Sequence, residues 1–332
     1  GRFYEMFYGE GQTASQKLGL TLTSRNNGGA SDVPLAGVPV KAAADYVRRL
    51  VQQGFRVAIC EQVEDPKVAK GIVRREVVET VTPGAAIADD LLDGTRNNYV
   101  CAVAVAAADL RAPVGVAAAD ISTGELRLAV VEPSALESFL ARIAPREILV
   151  QNAQGPSPAN HSASNGALVT PREQWEFDPA LARDDIARHF GVLGLDGLGI
   201  NESDGPAVGA AGALMRYLKE LQPAGISLAR PIVERAEGIL PLDEMTRRNL
   251  ELVESLRGGS ASGQETAGTL IDVLDRTTTP MGARLLRQWI LAPLPSKSAI
   301  HARLGGVQWL CEAPIARETL RSVQALVSDA LD

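Results

Sequence analysis

Over the first 82 residues, short apolar runs alternate with polar and glycine-rich breaks, the pattern of brief strands around a helix. The chain starts Gly1-Arg2-Phe3-Tyr4-Glu5-Met6-Phe7-Tyr8. In an extended segment Phe3 and Glu5 share a face, because side chains alternate with a period of two. Residues 20–23 predict a short strand, followed by a polar loop at 25–32 rich in Asn and Gly. Ala44, Val47, Leu50 and Val51 recur at three- and four-residue steps and predict an amphipathic helix over 41–53, which Gly54 stops. Residues 56–60 and 77–81 read as strands separated by a basic stretch at 67–75, and Thr82-Pro83-Gly84 ends the second.

A second pattern runs from about 95 to 205. Residues 99–107, 114–121 and 125–131 predict three successive strands, the last two joined as a hairpin at Ser122-Thr123-Gly124. Pro133 opens a helix through Ile143, residues 147–151 form another strand, and 152–166 read as a surface loop. From 206 onward the periodicity is helical. Leu242, Met245, Leu252, Val253 and Leu256 fall on one helical face. The glycine-rich run 258–263 reads as a helix–helix linker. Thr279 is an N-cap with Pro280 at the first helical position, and the helix that follows carries Met281, Leu285 and Trp289 inward and stops before Pro293. Two further helices are expected at 300–311 and 315–331. The expected fold class is multidomain: a small mixed α/β domain, a layered α/β domain, then an all-helical segment.

At 332 residues, two or three domains are expected. The formal charge is -7, so no global basic character advertises a polyanion partner. It is unevenly spread: residues 1–82 hold 11 Lys and Arg against 9 Asp and Glu, leaving 22 against 31 for the rest. That asymmetry favours an anionic partner for the first segment. Three widely spaced cysteines, Cys60, Cys101 and Cys311, support neither a disulfide framework nor a zinc site, and each is expected to act as a small buried hydrophobe in a reducing, cytoplasmic setting. No signal peptide or membrane-spanning apolar run is evident. The chain lacks an initiating Met and ends inside a helical pattern, so both ends are expected to be cut from a longer polypeptide.

Candidate chemistry is sparse. No lysine follows a glycine, which excludes a phosphate-binding Gly-Lys-Ser/Thr loop, and three histidines argue against a His-based triad or metal cluster. No catalytic residue and no metal ligand is assigned. Asp109, Asp120 and Glu125 lie on or beside the strands of the second domain. Carboxylates clustered on a sheet can hold Mg²⁺ for phosphodiester hydrolysis, and solvated strand-end charges are the plainer alternative. The aromatic start likewise reads as core, or as a stacking ring beside a hydrogen-bond acceptor.

Five segments in order decide between these: Phe3-Tyr4-Glu5-Met6-Phe7, Leu35-Ala36-Gly37-Val38-Pro39, Val57-Ala58-Ile59-Cys60-Glu61-Gln62, Asp65-Pro66 with Lys70-Gly71, and Val81-Thr82-Pro83-Gly84. Downstream stand Ala119-Asp120-Ile121-Ser122-Thr123-Gly124, Thr246-Arg247-Arg248-Asn249-Leu250-Glu251 and Thr279-Pro280-Met281-Gly282. Together they resemble the MutS family of DNA mismatch repair proteins over nearly the whole chain.

The resemblance implies a mismatch-recognition domain at 1–82 lacking its N-terminal part, a linker at 83–94, an RNase H-like connector at 95–205 and the start of the helical lever and core region at 206–332. It implies that Phe3 inserts into the minor groove of mismatched double-stranded DNA while Glu5 contacts the displaced base. Arg25 and Lys70 would contact the DNA backbone, with Lys67, Arg74 and Arg75 as helpers. A MutL-like repair protein would dock on the connector. The full-length parent would be a homodimeric, Mg²⁺- and ATP-dependent ATPase, whereas this segment carries no ATPase site and needs no cofactor. The expected setting is bacterial, cytoplasmic and DNA-associated, with no membrane partner. Three departures from the family pattern stand out: Arg2 beside the aromatic motif, Val40-Lys41 after the Gly-Val-Pro turn, and Glu79 where relatives can carry a basic residue.

Overall fold

The computed structural model describes residues 3–25, 33–64, 73–85, 93–106, 109, 111–152, 166–222, 225–235, 238–256 and 267–331. The expected loop at 153–165 and the glycine run at 258–263 lie outside these residues, as do Arg2, Lys67 and Lys70. The chain divides into two compact units, Gly1–Leu91 with Tyr217–Ile226, and Leu92–Arg216 with Ser227–Asp332. The architecture is mixed α/β.

In the first unit, β1 (Phe3–Phe7) leads directly into α1 (Tyr8–Leu18), with Tyr8 in the left-handed region at φ 52°. β2 (Thr23–Arg25) and β3 (Val33–Pro39) complete an antiparallel sheet of order β1-β3-β2. The strand expected at 20–23 thus begins at Thr23. One face of the sheet is covered: a Cβ on Gly11 of α1 would lie 2.6 Å from the Met6 carbonyl oxygen, so only glycine lets helix and strand approach this closely. Ala14 and Leu18 of α1 and Leu50 of α2 (Ala43–Gln52) form the core, with Met6, Tyr46 and Phe55 packed against it. The helix and its glycine stop agree with the periodicity, and Gly54 takes φ 85°. β4 (Val57–Gln62) and β5 (Arg75–Val81) pair as a separate antiparallel ribbon. Its distal half exposes both faces, which also leaves Cys60 exposed rather than buried as expected.

The second unit is built on a six-stranded sheet of order β10-β9-β6-β7-β8-β11. β6 (Val100–Ala104), β7 (Val114–Asp120) and β8 (Glu125–Val131) form an antiparallel meander. After α3 (Leu136–Ile143), β9 (Glu147–Gln151) returns parallel to β6, and β10 (Leu168–Arg172) adds parallel to β9. A helix over α3 gives the return path that a parallel pair requires. One face of the sheet packs Cys101, Val103, Val116 and Ile148 against Leu136, Phe139 and Leu140. α4 (Pro179–Phe190) is capped by Asp178, whose carboxylate accepts the Ala180 amide at 2.7 Å. α5 (Gly205–Leu221) buries Val208, Ala211 and Leu214 completely. β7 is buried along its whole length, and small residues allow it: a Cβ on Gly115 would sit 2.0 Å from the Pro206 carbonyl oxygen at the start of α5. β11 (Ile232–Glu234) closes the far edge parallel to β8.

The helical remainder departs from expectation in two places. The single amphipathic helix expected through 242–256 is a short α6 (Glu244–Asn249) followed by a turn, with Glu251 at φ 46°. Glu251 and Leu252 carbonyls accept the Leu270 and Ile271 amides at 3.0 Å each, so this backbone pairs with α7 (Leu270–Leu274) instead of continuing the helix. Leu252 and Val253 are buried with Ile271 and Leu291, whereas Met245 and Leu256 are exposed. α8 (Pro280–Leu291) starts as expected, the Thr279 hydroxyl accepting the Gly282 amide at 3.1 Å. Its buried side is Ala283 and Leu291, not Met281, Leu285 and Trp289, which are all exposed. The helix turns a different face inward because Arg284 and Gln288 are engaged by the β-sheet part of the unit: Arg284 donates to the Gly94 carbonyl at 2.6 Å, and Gln288 accepts from Arg127 at 2.9 Å. α9 (Lys297–Glu312) and α10 (Pro314–Leu331) follow, with Cys311 exposed on the former. Among the described residues no helix is long and apolar enough to cross a membrane.

Candidate nucleic-acid interface

Aromatic and unbranched apolar residues give β1 a strong tendency to extend, and pairing with β3 fixes its register: Phe3 lies opposite Pro39 and Glu5 opposite Gly37. Because α1 covers the other face, this register turns Phe3 and Glu5 outward together. Phe3 is 54% exposed. Its ring reaches along the sheet over Gly37, where a Cβ would stand 3.7 Å from the ring carbon Cδ1. Val40, immediately past β3, is 44% exposed.

The opposite side of β1 is used for support. The Tyr4 hydroxyl donates to the Glu61 carboxylate of β4, and this bond, with smaller effects of burial and of the Glu61 charge, raises the Tyr4 pKa above the ordinary phenol value. Glu61 pairs opposite Glu76, and its neighbour Gln62 opposite Arg75. The tether therefore connects β1 to the ribbon end that carries Arg74 and Arg75. No sequence signal announces it, since its two ends are 57 residues apart.

The basic residues are unevenly placed. Arg75 opens β5 and is exposed. Arg74 precedes it and bridges to Glu76, and its amide donates to the Glu64 carboxylate at 3.1 Å. Arg25 ends β2, and its side chain lies outside the described residues, as do Lys67 and Lys70 in the connection between β4 and β5. Of the departures, Lys41 is exposed, and Glu79 is half-buried opposite Ile59.

Asp109, Asp120 and Glu125 do not converge on one place. Asp120 and Glu125 face each other across the β7–β8 pair, but Asp109 lies in the loop at the other end of the β6–β7 hairpin and accepts the Arg111 amide at 2.9 Å. Asp120 is buried rather than a solvated strand end. Its oxygens accept from Asn97 Nδ2 at 2.9 Å, the Asn98 amide at 3.1 Å, the Ser122 amide at 3.0 Å and the Ser122 hydroxyl at 2.6 Å. Glu125 accepts the Tyr99 hydroxyl at 3.0 Å and bridges to Arg127. These groups are consumed as structural acceptors. Among the described residues no group of three or more His, Cys, Asp or Glu could hold a metal ion.

The chain combines a small sheet that presents an aromatic ring and an acid on its open face, a layered α/β sheet and a helical segment. Three family models account for that order: residues 1–90 match MutS domain I, 98–229 match MutS domain II and 245–331 match MutS domain III. The chain belongs to the MutS family. It is 40% identical over 331 residues to the DNA mismatch repair protein MutS of Chlorobaculum parvum, covering 99% of this chain and 37% of that protein. The corresponding protein of Chlorobaculum tepidum is 39% identical, with 99% and 37% covered, and that of Desulfosudis oleivorans 43% identical, with 100% and 37% covered. The chain thus spans little more than a third of the length of these relatives.

Proposed function

We propose that this chain is the DNA-reading part of a MutS-type mismatch repair protein and that Phe3 and Glu5 carry the recognition. The observation that supports the mechanism most directly is the exposure of both side chains on one face of β1, on a chain of this family. Phe3 enters the minor groove and stacks on one base of a mispair. Wedge side chains of this kind unstack a base step at a cost of about a few kcal/mol. A mispaired step is already weakened and kinks more cheaply, so discrimination comes from deformability and not from a sequence code. Glu5 accepts a hydrogen bond from the edge of the displaced base. Its charge also repels the phosphate-lined groove of an intact duplex, which penalises binding where no base is displaced. Arg25, Lys67, Lys70, Arg74 and Arg75 position the domain through phosphate contacts that carry no sequence information.

The strand order of the second unit, an antiparallel meander flanked by parallel strands, supports reading it as an RNase H-like connector. In the full-length homodimer the connector docks a MutL-like repair protein and links recognition to an ATPase domain that uses ATP and Mg²⁺, in the bacterial cytoplasm. This segment itself hydrolyses no ATP. The engagement of Asp120 and Glu125 described above does not favour a Mg²⁺-dependent nuclease on the second sheet.

The test is fluorescence anisotropy with a duplex carrying a single mismatch and its matched counterpart, using the chain restored to the length of its relatives. Phe3→Ala is expected to lower affinity for the mismatch at least tenfold and to leave matched-duplex affinity within about twofold. Retention of mismatch preference by Phe3→Ala would remove the wedge assignment.

A further inference from the structure

The second unit contains a cleft of about 630 Å³ between the strand ends of its sheet, the loop after α3, and helices α6 and α8. Eight arginines line it. At least three of them are paired within the protein: Glu234 binds Arg127 at 2.7 Å and also pairs with Arg142, and Asp93 pairs with Arg96 at 3.4 Å. Arg146, Arg247, Arg248, Arg284 and Arg287 also line the cleft, together with two carboxylates, Glu244 and Glu254. An excess of cations around a concave site focuses a positive potential into it.

Arg247 adds a sharper observation. It is 7% exposed and lines the cleft, and its Nε has no hydrogen-bond partner. Buried polar groups are almost always satisfied, and a buried charged donor without an acceptor is costly. Burial pushes the Arg247 pKa down, and the nearby charge of Arg142 pushes it further, against the opposing pull of Glu244. An anion in the cleft would relieve both effects. Guanidinium groups bind phosphate oxygens with paired hydrogen bonds, and cleft volume falls within the range of small-ligand sites. Leu140, Ile143 and Val253 supply an apolar wall that a bare phosphate does not need but a nucleoside would use.

We propose that this cleft is a binding site for a small, multiply charged phosphate of the diphosphate class, with Arg247 as its buried anchor and Arg146 and Arg248 at its exposed rim. The inference does not depend on the recognition role of Phe3 and Glu5, which lie in the other unit.

The experiment is isothermal titration calorimetry of this chain with pyrophosphate, with a nucleoside diphosphate and a short DNA duplex titrated in parallel at fixed ionic strength. The expected result is saturable pyrophosphate binding that weakens at least tenfold in Arg247→Gln and in the double variant Arg146→Gln, Arg248→Gln. The double variant alters exposed side chains only and decides the matter if Arg247→Gln fails to fold. Equal affinity for both diphosphates assigns the site to the phosphate groups alone, and tighter nucleoside diphosphate binding assigns it to a nucleotide; either supports the proposal. Absence of saturable diphosphate binding, binding that survives the double variant unchanged, or a response to duplex DNA alone would overturn it.

Discussion

Phe3 could have been core, since burying such a ring contributes about 1.5–3 kcal/mol. The pairing of β1 with β3 places it on the open face instead, beside Glu5. Charged groups elsewhere show the opposite treatment. Glu234 is nearly buried, which alone would raise its pKa, but Arg142 and Arg127 hold it below its ordinary value of 4.5. Removing one member of a buried ion-pair network leaves its partners uncompensated, so Glu234→Gln is expected to destabilise this unit by about 3 kcal/mol near pH 7. The sign with pH follows from the direction of the shift. A depressed carboxylate pKa contributes stability that is complete above the unfolded value and is lost as pH falls through the folded one. Urea denaturation at several pH values should therefore show the gap between wild type and Glu234→Gln narrowing below pH 4.5, where the wild-type carboxylate takes up its proton. A gap that stayed constant into acid would mean that the arginines are not held by the Glu234 charge.

At the level of elements, the second sheet depends on close contact between β7 and the first turn of α5. The sequence Val-Gly-Val-Ala-Ala-Ala-Asp supplies small side chains there, and Gly115 supplies none. In Gly115→Ala the added carbon would meet backbone atoms of both Pro206 and Ala207, which cannot swing aside as a side-chain tip can. Overpacking of this kind costs about 1–3 kcal/mol, and the upper end is expected because the obstacle is backbone. Thermal denaturation of Gly115→Ala checks this; an unchanged midpoint would show that α5 slides freely over the sheet. Signals confined to a few neighbouring residues were legible at this scale. The strand at 125–131, the Thr279 cap with Pro280 and the glycine stop after α2 all depend on local backbone geometry. The inward face of α8 and the break after α6 were not legible. Both are set by partners distant along the chain: Gly94 and Arg127 in one case, the backbone at 270–271 in the other.

For the molecule as a whole, the charge of -7 means that attraction to a polyanion must come from a local surface. Under the proposed function that surface lies within residues 1–82, with their 11 Lys and Arg against 9 Asp and Glu. Each phosphate neutralised steepens the fall of log affinity with log salt by roughly 0.9. The double variant Arg25→Gln, Lys70→Gln is therefore expected to weaken matched and mismatched duplex about equally and to flatten the salt dependence by about 1.8, the value for two lost phosphate contacts. Anisotropy titrations between low and moderate salt measure it. A loss confined to the mismatched duplex would reassign these residues from positioning to reading.

Sequence alone determined the order of strand- and helix-rich segments and the kinship of the chain, because period, caps and ordered motifs are carried by residues close together in the chain. It also placed Phe3 and Glu5 on one side of a strand, a consequence of the two-residue repeat. Tertiary structure decided which side faces solvent, tied Tyr4 to Glu61, turned Asp120 inward onto Asn97 and Ser122, and gathered arginines from residues 96 to 287 around one cleft. Such outcomes join side chains tens to hundreds of positions apart. They are set by the packing of whole elements, which no local pattern encodes.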